Sequence, residues 1–387
     1  MGAAQKRPER PGGRSTNGLR RGSNTEPDHP RDALSAARLG SQLLGSQRAA
    51  GVEEVVERLL AIQAQDARAF RLAVRVRSTG LSAAAVDAAL SSSRTLVVSG
   101  LCRGTLHLVR AADYWWLHRL TAPRQLTANA SRLAQLGVRD ARVEEAVAVV
   151  MAEVSAGPKS RAELGAVLAE EGLPTGGQGL VHLLAAASLR AHLVRGPLRE
   201  GEHCFVDAER WLARPPDGQR RDEILATLAR RYLAGHGPAS AGDLAQFCGI
   251  AVGDARLAFA RIAGQTRGFG DGMEVLEDQH LGQGVPSPRL LGMFDPILHG
   301  WADRSFVLSD YPGVVTTNGI FRATALVAGR VAGTWSLPSG VPTISTTEPL
   351  VAEVKVMLEE EAADVLRFLG LAPAPLRYLQ PGGREQR

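Results

Sequence analysis

Three times along this chain, a group of helical stretches is followed by short strand-like runs, and that order restricts the fold more than any other feature. In the first pass, apolar residues recur at helical spacing over 33–44, 52–62, 67–77 and 82–90. Runs at 95–99 and 104–109 then read as two strands of a hairpin. The second pass has a helical run at 143–156 and a second helix opened by Ser160, with Glu163 three residues on as in a capping box. A break at 172–174, a helix at 178–189 and a hairpin of 191–195 with 203–207 complete it. The third has helices at 222–233, 240–247 and 252–262 and a wing strand at 273–276. Within it, 237–262 reads as helix, short glycine-containing turn, helix. The three passes share no sequence identity, so the repeat is one of architecture. Helices followed by a hairpin are the order of a winged helix.

The flanks differ from this repeat. Residues 1–31 are rich in Pro, Gly, Ser and Arg and offer almost nothing to bury, so they are expected to form a disordered basic tail. Beyond Pro286, short runs at 290–294, 305–308, 319–328 and 330–337 are β-branched or aromatic and are punctuated by Gly and Pro. They predict a small β-rich unit, closed by an acidic helix at 352–369. The expected fold is therefore α+β. Its parts are the tail at 1–31, winged helices at 32–142, 143–215 and 216–285, and a β-rich region with a terminal helix at 286–387.

Charge is unevenly spread. The formal net charge is +5, but the tail holds +4 of it. Between Arg58 and Arg142 there are 13 Arg against four Asp, whereas Glu348–Asp364 has six acidic residues against Lys355. An arginine-dense half that attracts a polyanion is one reading, and ordinary solvated helix faces are the other. No apolar run approaches the length of a membrane span. The N-terminus lacks a signal-type apolar core, and Cys102, Cys204 and Cys248 lie far apart, so a cytoplasmic protein is expected.

The nine His are scattered, with no H-E-x-x-H, so neither a metal nor another cofactor is expected. Gly268–Gly272 lacks the Lys of a phosphate loop, and no G-x-S-x-G occurs. Two segments stand out. Gln63 and Gln65 close an apolar helical run, just before Asp66. On a helix, side chains at i and i+2 diverge by about 200°, whereas in an extended segment they point the same way. A break between Ile62 and Ala67 would thus let both amides address one small target. Arg68, Arg71 and Arg75 follow on one helical stripe, suited either to phosphate contacts or to solvent. In the second segment, 102–109, Thr105 and His107 share one strand face, beside Arg103.

These residues resemble a known family. The runs Leu60-Ala-Ile-Gln-Ala-Gln-Asp66, Arg103-Gly-Thr-Leu-His-Leu108, Gly237-Pro-Ala-Ser with Asp243-Leu-Ala, Leu290-Leu-Gly-Met-Phe-Asp-Pro296, and Gly319-Ile-Phe-Arg with Gly329-Arg-Val-Ala-Gly-Thr-Trp335 are similar to those of a tandem winged-helix DNA-binding family. That family includes the AlkZ/YcaQ-type DNA glycosylases. The resemblance spans about Leu34 to Leu369. It implies three winged helices in a C-shape around a DNA-sized channel, and a catalytic Gln-x-Gln matched by Gln63 and Gln65. The expected activity is that of a monofunctional glycosylase excising N7-alkylated or cross-linked purines. Its partner would be double-stranded DNA, bound by a monomer through Arg68, Arg71, Arg75, Arg103, Thr105 and His107. The alternative is a winged-helix DNA-binding regulator without catalysis.

Overall fold

The computed structural model describes residues 30–199, 201–214, 218–282, 286–308, 311 and 313–379. Most of the expected tail lies outside the described residues, and helix α1 (Pro30–Ser41) begins just before the expected boundary. It is followed by α2 (Val52–Leu59), β1 (Ile62–Gln63), α3 (Ala67–Arg75), α4 (Ala83–Ser91), β2 (Leu96–Gly100) and β3 (Leu106–Arg110). Side-chain oxygens start two of these helices: Asp66 accepts from the Ala69 amide for α3, and Ser82 accepts from the Ala85 amide for α4.

A 25-residue helix, α5 (Ala111–Gln135), then runs through Pro123. No element is expected there from the sequence, and the reason is physical. The first half buries Tyr114, Trp116 and Leu117 in one core and the second half buries Leu133 in another, so no single apolar stripe persists. The helix thereby spans two units. The next elements are α6 (Asp140–Ser155), α7 (Arg161–Glu170), α8 (Gly179–Leu189), β4 (Leu193–Arg199), β5 (Glu202–Asp207) and the short α9 (Ala208–Trp211). Ser160 and Glu163 form the expected capping box. The boundary expected at 142 falls inside α6.

The hairpins of the first two passes are not separate wings. Val98 of β2 pairs with Arg195 of β4, giving one antiparallel five-stranded sheet in the order β1-β3-β2-β4-β5. The third pass comprises α10 (Arg221–His236), α11 (Ala241–Cys248), α12 (Val252–Arg261) and the hairpin β6 (Thr266–Gly270) with β7 (Met273–Leu276). Ser240 and Asp243 box the start of α11, and Gly249 ends it in the left-handed conformation, at φ 71°. A side chain there would also crowd the backbone of Arg103, 3.0 Å from the position of a Cβ.

The C-terminal region builds a second five-stranded sheet from β8 (Arg289–Leu291), β9 (Thr324–Val327), β10 (Arg330–Ser336), β11 (Thr343–Thr346) and β12 (Arg377–Leu379). Only the β11–β12 pair is parallel. Residues 305–308, expected as a strand, form the helical turn α13 (Ser305–Leu308), whose first amide is held by Asp303. The terminal helix is α14 (Ala352–Leu369). Its Leu358, Ala362, Val365 and Phe368 share a core with Val55, Val56, Leu59 and Phe70 of the first unit. The C-terminal region is thus seated on the unit that carries the glutamines.

Candidate active site

Helix α2 stops because Leu60 takes φ 65° and ψ −53°, a conformation that a leucine rarely adopts. Its fully buried side chain holds it there. The chain runs on as β1, antiparallel to β3, with Ile62 opposite Leu108 and Gln63 opposite His107. The Ala64 amide then donates to the Leu106 carbonyl at 2.7 Å. Gln63-Ala64-Gln65 is therefore extended, and its two glutamine side chains lie on one side. The Gln63 amide Nε2 donates to Gln65 Oε1 at 2.6 Å. Gln63 is 8% exposed, while Gln65 is open to solvent. Asp66 is committed elsewhere, since its carboxylate caps α3.

The register continues this row across the sheet. Gln63 faces His107, and His107 faces Ser99 of β2. The His107 Nδ1 lies 2.9 Å from the Thr105 carbonyl oxygen. Burial, reinforced by the Arg103 charge and opposed by the Thr105 bond, pushes this imidazole down to about 3. It is neutral at ordinary pH, so Nδ1 donates and Nε2 is left as an acceptor. His299, just beyond the turn of residues 296–298, is pushed down to about 3 by burial and then by Arg103, Arg304 and His107. Its ring centroid is 4.1 Å from that of Phe321 and 6.1 Å from that of Phe294. Nothing in the local sequence pattern marks Ser99 or His299. Only the register and the packing bring them near.

The predicted DNA contacts fare unequally. Arg68 is exposed at the start of α3. Arg71 is half-buried and forks onto Asp87, at 2.8 and 2.6 Å. The expectation for Arg75 is corrected: it is 1% exposed and bonds Glu361 at 2.8 Å, Asp364 at 3.0 Å and the Leu290 carbonyl. Only this last residue of the stripe faces the acidic helix α14, where basic and acidic segments meet each other rather than solvent. Arg103 is half-buried, donates to the Phe247 carbonyl near the end of α11 and lies over the Phe247 ring. A helix C-terminus is a natural seat for a cation. Thr105 is half-buried, its hydroxyl donating to the Cys102 carbonyl at 3.3 Å. His107, buried and neutral, is likewise corrected as a phosphate contact.

Residues 56–368 match the protein family described as DNA glycosylase AlkZ-like. The chain belongs to the AlkZ-like DNA glycosylase family. It is accordingly a DNA glycosylase, a hydrolase of N-glycosyl bonds acting on DNA in repair, and the regulator alternative is set aside. The solved structure of the Streptomyces sahachiroi DNA glycosylase AlkZ is similar to this fold. Its TM-score is 0.75 at 23% sequence identity, over 90% of this chain and 99% of that one. No curated protein sequence gives a significant match. Among the described residues, no helix is long and apolar enough to cross a membrane, and no cluster of His, Cys, Asp or Glu is arranged to hold a metal ion.

Proposed function

We propose that this glycosylase hydrolyses the N-glycosidic bond of N7-alkylated, including cross-linked, purines in duplex DNA, with Gln63 and Gln65 holding the attacking water. The observation that carries the reading is the pair of joined amides on an extended strand, one sheltered and one open to solvent. Neutral amides orient a water through donor and acceptor groups but are neither strong bases nor strong acids. Such a pair suits a leaving group that is already cationic. As the bond from C1′ to N9 breaks, its electron pair neutralises the alkylated ring. The water oxygen bonds to C1′, and the proton it sheds passes to solvent. Catalysis then consists of placing the water and stabilising the cationic sugar. Asp66 has one carboxylate oxygen engaged in capping α3, and the reading gives the water to the two amides.

The three sets of helices and strands, the first two with their hairpins merged into one sheet, act as winged-helix units that curve around the duplex in a C-shape, as a monomer working on DNA in the cytoplasm. Arg68 and Arg71, together with Thr105, lie on the unit that carries the glutamines and serve the phosphates there. Arg256 on α12 and Arg267 on β6, both exposed, serve them in the third unit.

The test is single-turnover release of N7-methylguanine from duplex DNA at saturating protein. Gln63→Ala and Gln65→Ala should each slow release by roughly 100- to 1000-fold, as for one lost hydrogen bond to a positioned group. Duplex affinity should be unchanged, because an amide carries no charge for the phosphate interaction. The double variant should be less than additive, and Gln65→Glu should retain activity. Wild-type rates in both alanine variants would overturn the proposal.

A further inference from the structure

Beside the glutamines, the first sheet buries a polar atom that its own hydrogen bonds leave unused. The His107 Nε2 is buried and without a partner among the described residues, whereas the Ser99 and Tyr114 hydroxyls beside the sheet have each other. His107 is 1% exposed, and a buried acceptor without a hydrogen bond destabilises a fold. Its position is not arbitrary. The Ala64 amide bonds Leu106, so Gln63 and His107 form the intervening non-hydrogen-bonded pair, in which facing side chains approach most closely. No direct hydrogen bond joins the two side chains. The Gln63 Nε2 is turned to Gln65, and the Gln63 Oε1 has no hydrogen-bond partner among the described residues.

We infer that His107 is a third catalytic residue, its Nε2 accepting one hydrogen of the attacking water while Gln63 Oε1 accepts the other. Two acceptors holding both hydrogens leave the oxygen lone pairs free to face C1′, the orientation that attack requires. The inference rests on the Gln63–Gln65 reading of the site. Three features keep the ring in this role. The Thr105 carbonyl fixes the proton on Nδ1, so Nε2 keeps its lone pair. Burial keeps the ring neutral, and an uncharged acceptor does not repel the cationic sugar. Arg103 adds its field, and the third unit sets that residue: the Phe247 carbonyl takes its guanidinium, and the Gly249 turn admits its backbone.

Two substitutions separate the ring nitrogens. The amide of His107→Asn reaches the place of Nδ1 and keeps a donor for Thr105, but puts nothing at Nε2. The longer amide of His107→Gln reaches the place of Nε2 and supplies an oxygen acceptor. Single-turnover excision from an N7-methylguanine duplex at saturating protein should fall about 10- to 100-fold in the Asn variant and stay within about threefold in the Gln variant. Affinity for the unmodified duplex and the melting temperature should match wild type in both. Gln63→Ala, run in parallel, tells the two readings apart. A fast Asn variant beside a slow Gln63→Ala overturns the role of His107 and leaves the glutamines in place. Wild-type rates in both overturn the site itself. Asn and Gln variants that slow equally and melt early together make His107 a structural residue and overturn the inference.

Discussion

Replacing Asp295 by Asn should destabilise the protein far more than its loop position suggests. Arg77, just past the end of α3, and Asp295 are each 0% exposed. They form a two-pronged pair, Nη2 to Oδ1 at 2.7 Å and Nη1 to Oδ2 at 2.9 Å. Arg77 also donates to the Ala73 carbonyl and to Gln42 Oε1, and the Gln42 amide donates to the Gly235 carbonyl. Asp295 further accepts from the Ile297 amide. The pair thereby ties α1, α3 and α10 to the turn that leads to His299. Asn keeps the shape but strips the charge, leaving a buried guanidinium uncompensated and one amide NH2 facing its donors. Breaking one side of a buried pair typically destabilises by about 3–5 kcal/mol. With about 2.1 cal/mol/K of unfolding entropy per residue, a chain of this size should lose about 4–6 °C in Tm. Differential scanning calorimetry under reversible conditions reads this directly. The exposed pair of Arg199 with Glu163 is the control: Arg199→Gln should leave Tm within about 1 °C. An Asp295→Asn protein melting within 1 °C of wild type would refute the argument, since an uncompensated buried charge cannot be neutral in energy.

Arg68→Ala should weaken binding to unrelated duplexes and flatten the log K against log salt slope by about 0.9, one phosphate contact. Arg75→Ala should lower Tm with no change of slope, because its partners are Glu361 and Asp364, and a changed slope would return it to the DNA surface. His107, His236 and His299 are all pushed down to about 3, chiefly by burial, and the unfolded chain titrates them near 6.5. Between those values the unfolded state binds more protons. Their contribution is therefore complete above about pH 7 and lost on acidification, at up to about 1.4 kcal/mol per pH unit for each imidazole. Urea midpoints should fall steadily from pH 7.5 to pH 5, and a constant midpoint across that range would contradict the buried, neutral assignment.

Local chemistry decided a good part of this protein. Hydrophobic spacing and capping residues such as Ser160 with Glu163 and Ser240 with Asp243 place helices, because those interactions lie within a few residues of chain. The extended Gln63-Ala64-Gln65 was legible for the same reason: only a break between two helices lets both amides face one way. Helical spacing also put Arg68, Arg71 and Arg75 on one stripe, but it cannot say what the stripe faces. For Arg75 that was settled by α14, some 286 residues away in sequence, whose Glu361 takes it, and for Arg71 by Asp87 of α4. The third pass supplies the backbone carbonyl that accepts from Arg103, and Ser99, His107 and Gln63 become neighbours through strand register alone. Each of these depends on desolvation and on contacts between distant segments, which composition and periodicity do not encode. The same limit hid α5, whose two halves bury their side chains in different cores. Sequence thus determined which residues form elements and which could act together locally, and tertiary packing decided which charges are buried and which polar atoms surround the glutamines.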